Sequence, residues 1–230
     1  MAKIEGFDGF SKGTVSFFRA LSRNNDKGWF DAHRADYDEH VMGPARAFVT
    51  AMGAKLRKIS PDVQAEPKVN GSIFRINRDT RFSKDKSPYK TNMGIFFWEG
   101  KRPRMECPGY YFHFEPPNLM LGVGLYQFPK DLLGPYREAV VDKKRGAALV
   151  RAIKAAQAKG PYELGGQHYK KVPRGFDADH PRADLLRHGG IYLGFTQKLP
   201  PELTSPKLVD WCLKHYRPMA SFQRWLVQLQ

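Results

Sequence analysis

The chain has 230 residues, 41% of them hydrophobic, which is enough to bury a sizeable core. Its 38 Lys and Arg against 23 Asp and Glu leave a net charge of +15, which favours anionic partners such as nucleic acid, phosphorylated metabolites or an acidic protein surface. No apolar run approaches the ~20 residues that cross a bilayer, and the first six residues lack the apolar core of a signal peptide. Cys107 and Cys212 match no metal-ligand spacing, so the expectation is a cytoplasmic protein with two free thiols and no membrane partner.

The first third, residues 1–60, reads as helical. Thr14 is placed to cap a short helix that turns Phe17, Phe18 and Leu21 inward. Asn24, Asn25 and Asp26 break the chain and offer an N-cap to a second helix, where Trp29, Phe30, His33, Tyr37 and Val41 recur at helical spacing. Gly43 and Pro44 interrupt that pattern, and a new or kinked helix starts there with Ala47, Phe48, Met52 and Leu56 on its apolar stripe.

Between residues 70 and 130 the period changes to two. Segments 71–78, 92–98, 109–115 and 119–127 alternate like strands of a half-buried antiparallel sheet. The core face would carry Phe74, Ile76, Met93, Ile95, Phe97, Tyr110, Phe112, Phe114, Leu121, Val123 and Leu125. The other face would carry Arg75, Asn77, Asn92, Gly94, Tyr111, His113, Glu115, Gly122, Gly124 and Tyr126. A later strand, 191–197, continues both faces, with Ile191, Leu193 and Phe195 inward and Tyr192, Gly194 and Thr196 on the polar one. Glycines at these positions either open a shallow polar concavity or admit a packed helix or a bulge.

In the last part, 131–230, Asp131 is placed to cap a helix to about Val141, and residues 145–159 read as another that buries Leu149, Ile153 and Ala156. Residues 167–172 read as an edge strand. A rigid loop through Pro173, Asp179, His180 and Pro181 leads to one or two C-terminal helices around Trp211, Tyr216, Phe222, Trp225 and Leu229. No repeat or clean linker appears, so the expected architecture is a single α+β domain over 1–230. It has a central, largely antiparallel sheet with helices packed on its apolar face.

The densest chemistry lies in residues 75–90, which hold the cations Arg75, Arg78, Arg81, Lys84, Lys86 and Lys90 against Asp79 and Asp85. Guanidinium forks match phosphate or carboxylate, and the two aspartates suit the task of orienting them. Arg75, Asn77, Arg78, Asp79, Arg81, Asp85, Lys86, Tyr89 and Lys90 are therefore the candidate ligand-binding residues. The competing reading is a salt-bridge network that ties down a long loop. His113 and Glu115, two apart on one strand face, are the candidate proton-transfer pair, and a plain hydrogen bond is the alternative. The histidines and cysteines have no metal-ligand spacing, so no metal site or cofactor is expected. A magnesium ion held by carboxylates and a substrate phosphate would leave little trace in sequence.

Asn24, Asn25, Trp29, Phe30, His33, Arg34 and Tyr37, followed by residues 74–82 (FRINRDTRF) and 85–91 (DKSPYKT), strongly resemble the family known as domain of unknown function 2461. Gly109, Tyr110 and Tyr111, Gly122 to Gly124, and Pro173 to Phe176 with His180 and Pro181 fit it as well. The resemblance covers nearly the whole chain. It implies a single-domain protein of a family found mainly in bacteria and fungi, singles out the central motif, and implies no activity.

The leading expectation is binding of a phosphate-bearing small ligand at the 75–90 loop, beside the polar face of the sheet. If chemistry follows, it would be phosphoester chemistry. The alternative is a nucleic-acid-binding module that uses general positive charge, since residues 142–159 add six cations and one acid without any motif. A third reading is an interaction scaffold whose loop is an internal ion-pair network.

Overall fold

The computed structural model describes residues 6–230; the first five residues, which belong to the stretch read above as lacking a signal segment, lie outside the described residues. The fold is α+β, with a five-stranded antiparallel sheet in the order β1-β2-β3-β5-β4. The strands are β1 Met93–Trp98, β2 Gly109–Glu115, β3 Asn118–Leu125, β4 Glu163–Gln167 and β5 His188–Lys198. The described chain divides into two compact units, each assembled from separated segments. Unit 1 takes the chain up to Phe97, Tyr111–Met120 and Thr196–Lys214; unit 2 takes Trp98–Tyr110, Leu121–Phe195 and His215–Gln230.

Unit 1 contains α1 Lys12–Leu21, α2 Lys27–Ala32, α3 Arg34–Tyr37 and α4 Gly43–Leu56. Its core is aromatic: Phe48 of α4 lies 4.8 Å from Phe112 of β2, and Phe18 of α1 lies 5.7 Å from Phe114. Each fully buried ring of this kind contributes about 2–3 kcal/mol of hydrophobic stabilisation. The start of α1 differs from expectation. Ser11 sits at the N-cap without a side-chain bond, and Thr14 lies inside the helix, donating its hydroxyl to the His40 carbonyl at 2.6 Å. That carbonyl stands four residues before Pro44, whose ring nitrogen has no hydrogen to offer it. A π-helical turn at Asp38–Met42 precedes the proline, and Thr14 supplies the missing donor. Asp26 caps α2 as expected, accepting from the Trp29 N–H at 2.9 Å.

Segment 71–78 is not a continuous strand. It meets β1 only where Ile73 faces Ile95, through Phe74 N–H to Gly94 O at 3.0 Å and Phe96 N–H to Ser72 O at 2.8 Å. At Ile73 and Phe74 the faces are exchanged relative to the sequence reading, while Ile76 is buried as read. Ile73 is buried opposite Ile95, while Phe74 is half-buried and lies edge-on to Tyr111 at 6.0 Å, on the polar side. Ile73 and Ile76 lie three residues apart and are both buried, so the two-residue alternation of a strand breaks between them.

Unit 2 contains α5 Lys130–Val141, α6 Lys143–Gln157, α7 Ala183–Leu186 and α9 Ala220–Val227, and α8 Lys207–Tyr216 straddles the division of the chain. Pro129, not Asp131, occupies the N-cap of α5. Asp131 instead accepts both guanidinium nitrogens of Arg102. Asp142 caps α6 by accepting from the Lys144 and Arg145 N–H groups at 2.9 and 2.6 Å, which starts that helix two residues earlier than expected. Leu149, Ile153 and Ala156 are buried, as read. The edge strand is β4, upstream of the expected 167–172, because Glu163 to Gly165 pair with Gly194 to Tyr192 despite two glycines in the segment. The core joins Phe128 to Tyr136 at 4.3 Å, and Trp225 donates its indole N–H to the Arg145 carbonyl at 2.9 Å.

Candidate functional site

The central motif folds as a narrow-necked loop in unit 1. Arg78 N–H donates to Pro88 O and Lys90 N–H to Ile76 O, both at 2.8 Å, and Asn77 is bridged to Tyr89. Asn25 seals the neck from outside. Its side-chain amide donates to Tyr89 O at 2.9 Å and its side-chain oxygen accepts from Tyr89 N–H at 3.0 Å, as a neighbouring strand would. Tyr89 then lies stacked on Phe30 at 4.2 Å.

Most of the loop's charge is used within the loop. Arg78 pairs with Asp85 and donates to Ser87 O at 3.2 Å. Arg81 makes a two-pronged contact with Asp79, at 3.0 and 2.7 Å. Lys86 donates to Thr80 O and Lys90 to Arg75 O, each at 2.9 Å. The Asp85 carboxyl is drawn down to about 2 by the hydroxyl and backbone N–H of Ser87, with Arg78 adding to the effect. Asp79 is held below the usual carboxylate range, first by its bonds from Arg81 and last by the charge of Arg75. Exposed pairs of this sort organise a loop more than they stabilise a fold. This is the geometry that the internal-network reading requires for Arg78, Asp79, Arg81, Asp85 and Lys86.

Arg75 stands apart from that network. Its guanidinium makes no hydrogen bond among the described residues. It lines a cleft of about 210 Å3 together with Phe30, Asp31, Arg34, Tyr37, Val69, Ile76, Asn77 and Tyr89. Arg34 brings a second cation, held over the rings of Phe30 and Tyr37 at 5.7 and 6.0 Å and reaching Asp38 at 3.5 Å. Burial pushes the Tyr37 hydroxyl up to about 12, so at neutral pH it stays a proton donor, and it too makes no hydrogen bond among the described residues. Asp31, the one acid in the lining, is neutralised by Lys27 at 2.5 Å. The cleft therefore joins two cations, an amide and a phenol above an aromatic floor.

Of the expected ligand-binding residues, Arg75, Asn77 and Tyr89 meet at this cleft. The sequence reading passed over Arg34, Tyr37 and Asp31 as site residues. Their signal was present, since Arg34 and Tyr37 follow Phe30 at one-turn spacings on the helical segment whose residues carry the family resemblance.

His113 and Glu115 do not line the cleft. They lie in a hydrogen-bonded row on β2: Tyr111 hydroxyl to His113 Nδ1 at 3.0 Å, His113 Nε2 to Glu115 at 3.4 Å, and Thr91 hydroxyl to Glu115 at 3.0 Å. Burial, with the charge of Glu115 adding to it, pushes Tyr111 up to about 12. The phenol therefore keeps its proton at neutral pH. The strand alternation expected to put Arg75 on their face does not continue past the Ile73 bridge to β1. Nor does Gly94 open a concavity: a Cβ there would stand 2.8 Å from the Tyr111 oxygen, so tyrosine fills that space. His180 serves its own turn, accepting from Arg182 N–H at 3.1 Å, while the Arg182 side chain caps α5 through Val140 O at 2.6 Å and Val141 O at 2.9 Å.

Among the described residues no cluster of three or more His, Cys, Asp or Glu side chains could hold a metal ion, and no helix is long and apolar enough to cross a membrane. Both cysteines are buried and unpaired. Residues 13–225 match the family model described as a conserved hypothetical protein, DUF2461, and the chain belongs to that family. No curated protein and no solved structure matches it.

Proposed function

We propose that this DUF2461 protein binds a small phosphate-bearing ligand in the unit 1 cleft, with Arg75 and Arg34 as the anion contacts and Asn77 and the Tyr37 hydroxyl as neutral donors. The observation that carries the reading is the contrast inside one motif. Arg78, Arg81, Lys86 and Lys90 all donate side-chain bonds within the loop, whereas the Arg75 guanidinium makes no hydrogen bond among the described residues and lines a cleft. A guanidinium without a hydrogen bond beside a second cation gains most from an oxyanion that accepts from both. The cleft is smaller than the roughly 300–1,000 Å3 of sites for drug-sized molecules, which suits a phosphate with little attached. The rings of Phe30, Tyr37 and Tyr89 offer an apolar surface to whatever it carries.

Thermal melting against inorganic phosphate, sugar phosphates and nucleotides, each with and without magnesium, tests this, because a ligand that binds only the folded state raises the melting temperature. The expected result is a shift selective for a small phosphate compound, lost in Arg75→Ala and kept in Arg81→Ala. A shift that survives Arg75→Ala, or none with any phosphate compound, would remove the cleft as an anion site.

A further inference from the structure

Unit 2 carries an aromatic surface that the unit 1 cleft does not involve. Tyr126, just beyond the end of β3, is 70% exposed, and its ring is stacked 6.0 Å from Tyr192 of β5 at an interplanar angle of 24°. His168 lies edge-on to Tyr126 at 6.5 Å. Missing side chains hold these rings flat: a Cβ on Gly165 would stand 2.4 Å from the Tyr192 ring, and one on Gly189 would stand 2.6 Å from the His168 ring. The segment that follows β4 is pinned in turn by Arg187. Its carbonyl accepts from the His168 and Tyr169 N–H groups at 3.2 and 3.0 Å, and its guanidinium donates to Lys170 O at 3.4 Å. Arg137 lies over the Tyr169 ring at 5.1 Å. The Tyr192 and His168 rings thus lie close against the backbone at Gly165 and Gly189.

The charge around them is unspent. Lys170, Lys171 and Arg174 are exposed, and their side chains make no hydrogen bond or ion pair among the described residues. No acidic residue occurs between Glu163 and Asp177. Of the acids nearby in sequence, Asp184 is taken up by Arg187 at 2.6 Å, and Asp177 accepts from the Asp179 N–H at 2.9 Å.

We propose that this surface binds single-stranded nucleic acid, bases stacking on Tyr126 and the adjoining rings while Lys170, Lys171 and Arg174 follow the phosphates. Every base has a π-face, so aromatic platforms flanked by cations grip single strands with little regard to sequence. A duplex keeps its bases stacked on one another and cannot present a free face to Tyr126. An acidic peptide would use the cations and leave the rings idle.

The test is fluorescence anisotropy of labelled RNA and DNA single strands of about a dozen nucleotides, against a duplex of matched length, with the full chain at two salt concentrations. Single strands should bind more tightly than duplex. Tyr126→Ala should weaken them by about fivefold or more, while Tyr126→Phe keeps them. Replacing Lys170 and Lys171 by alanine should lower the slope of log K against log salt by about 1.4, at roughly 0.7 for each single-strand phosphate contact. Because Tyr126 is exposed, each variant should melt with the parent, and melting curves check that. Binding that ignores strandedness and survives Tyr126→Ala would overturn the proposal. So would preference for an acidic peptide or anionic vesicles over the oligonucleotides, or no binding to single strands at low salt.

Discussion

Two basic segments of this protein look alike on paper and differ in space. Residues 75–90 in unit 1 hold six cations and two acids, and residues 167–174 in unit 2 hold three cations and no acid. In the first, Arg78, Arg81, Lys86 and Lys90 each donate to an atom of the same loop. In the second, Lys170, Lys171 and Arg174 donate to nothing among the described residues. Charge density therefore does not measure the capacity to bind. What matters is whether the loop's own carbonyls and carboxylates have already taken the donors. By that measure, among the described residues, the richer motif keeps the Arg75 and Lys84 side chains without a hydrogen bond.

The sharpest way to break this comparison is to strip each segment in turn. Replacing Lys170, Lys171 and Arg174 with alanine should lower single-strand affinity about a hundredfold at roughly 0.1 M salt, the counterion-release contribution of about three phosphate contacts. The same treatment of Arg78, Arg81 and Lys86 should change it less than about twofold, since those groups are paired already. Anisotropy titrations of the two triple variants side by side would show it, and equal losses would dissolve the distinction.

Within unit 1 the comparison narrows to Arg75 against its neighbours. Asn25→Ala, which removes both bonds that clamp Tyr89, should cost about 1–3 kcal/mol in denaturant unfolding, because part-buried backbone groups lose their partners. It should also blunt any phosphate-induced melting shift, because the wall that carries Asn77 and Tyr89 loses its support. Arg81→Ala, by contrast, removes only an exposed contact with Asp79 and should leave the melting temperature unchanged.

A smaller effect separates buried from exposed charge. His188 of β5 is buried, and burial pulls its pKa below the ordinary 6.5. The unfolded chain then binds this proton more readily than the folded one. The contribution of His188 is complete above pH 6.5 and is lost as pH falls below it. Melting curves between pH 7.5 and 5.5 should show a drop that His188→Asn reduces. Asp85, exposed and drawn down to about 2, should keep its partners throughout that range, which an NMR titration of its carboxyl would confirm.

Several elements were legible because their signals are local. Asp26 before Trp29 announced a cap; Leu149, Ile153 and Ala156 announced a buried helix face; Ile191, Leu193 and Phe195 announced an inward strand face. The failures had non-local causes. Thr14 looked like a cap until the His40 carbonyl, left without a donor by Pro44, claimed its hydroxyl across 26 residues of chain. Phe74 looked like core because it is larger and more apolar than its setting requires. Asp131 looked like a cap, and Arg102 used it. The candidate site divides in the same way. The basic stretch could be read from residue types, but which of its cations face the cleft could not.

The sequence by itself determined the fold class, the family, the helical first third and the excess of positive charge. These follow from periodicity, residue type and net charge, which are properties of neighbours along the chain. Tertiary structure alone decided which cations are spoken for, which face Phe74 takes and that Arg34 and Tyr37 join Arg75. A hydrogen-bond donor is satisfied by whatever acceptor folding brings within about 3 Å. Partners as distant as Asn25 and Tyr89 are chosen by packing, a relation between segments that no single stretch of sequence contains.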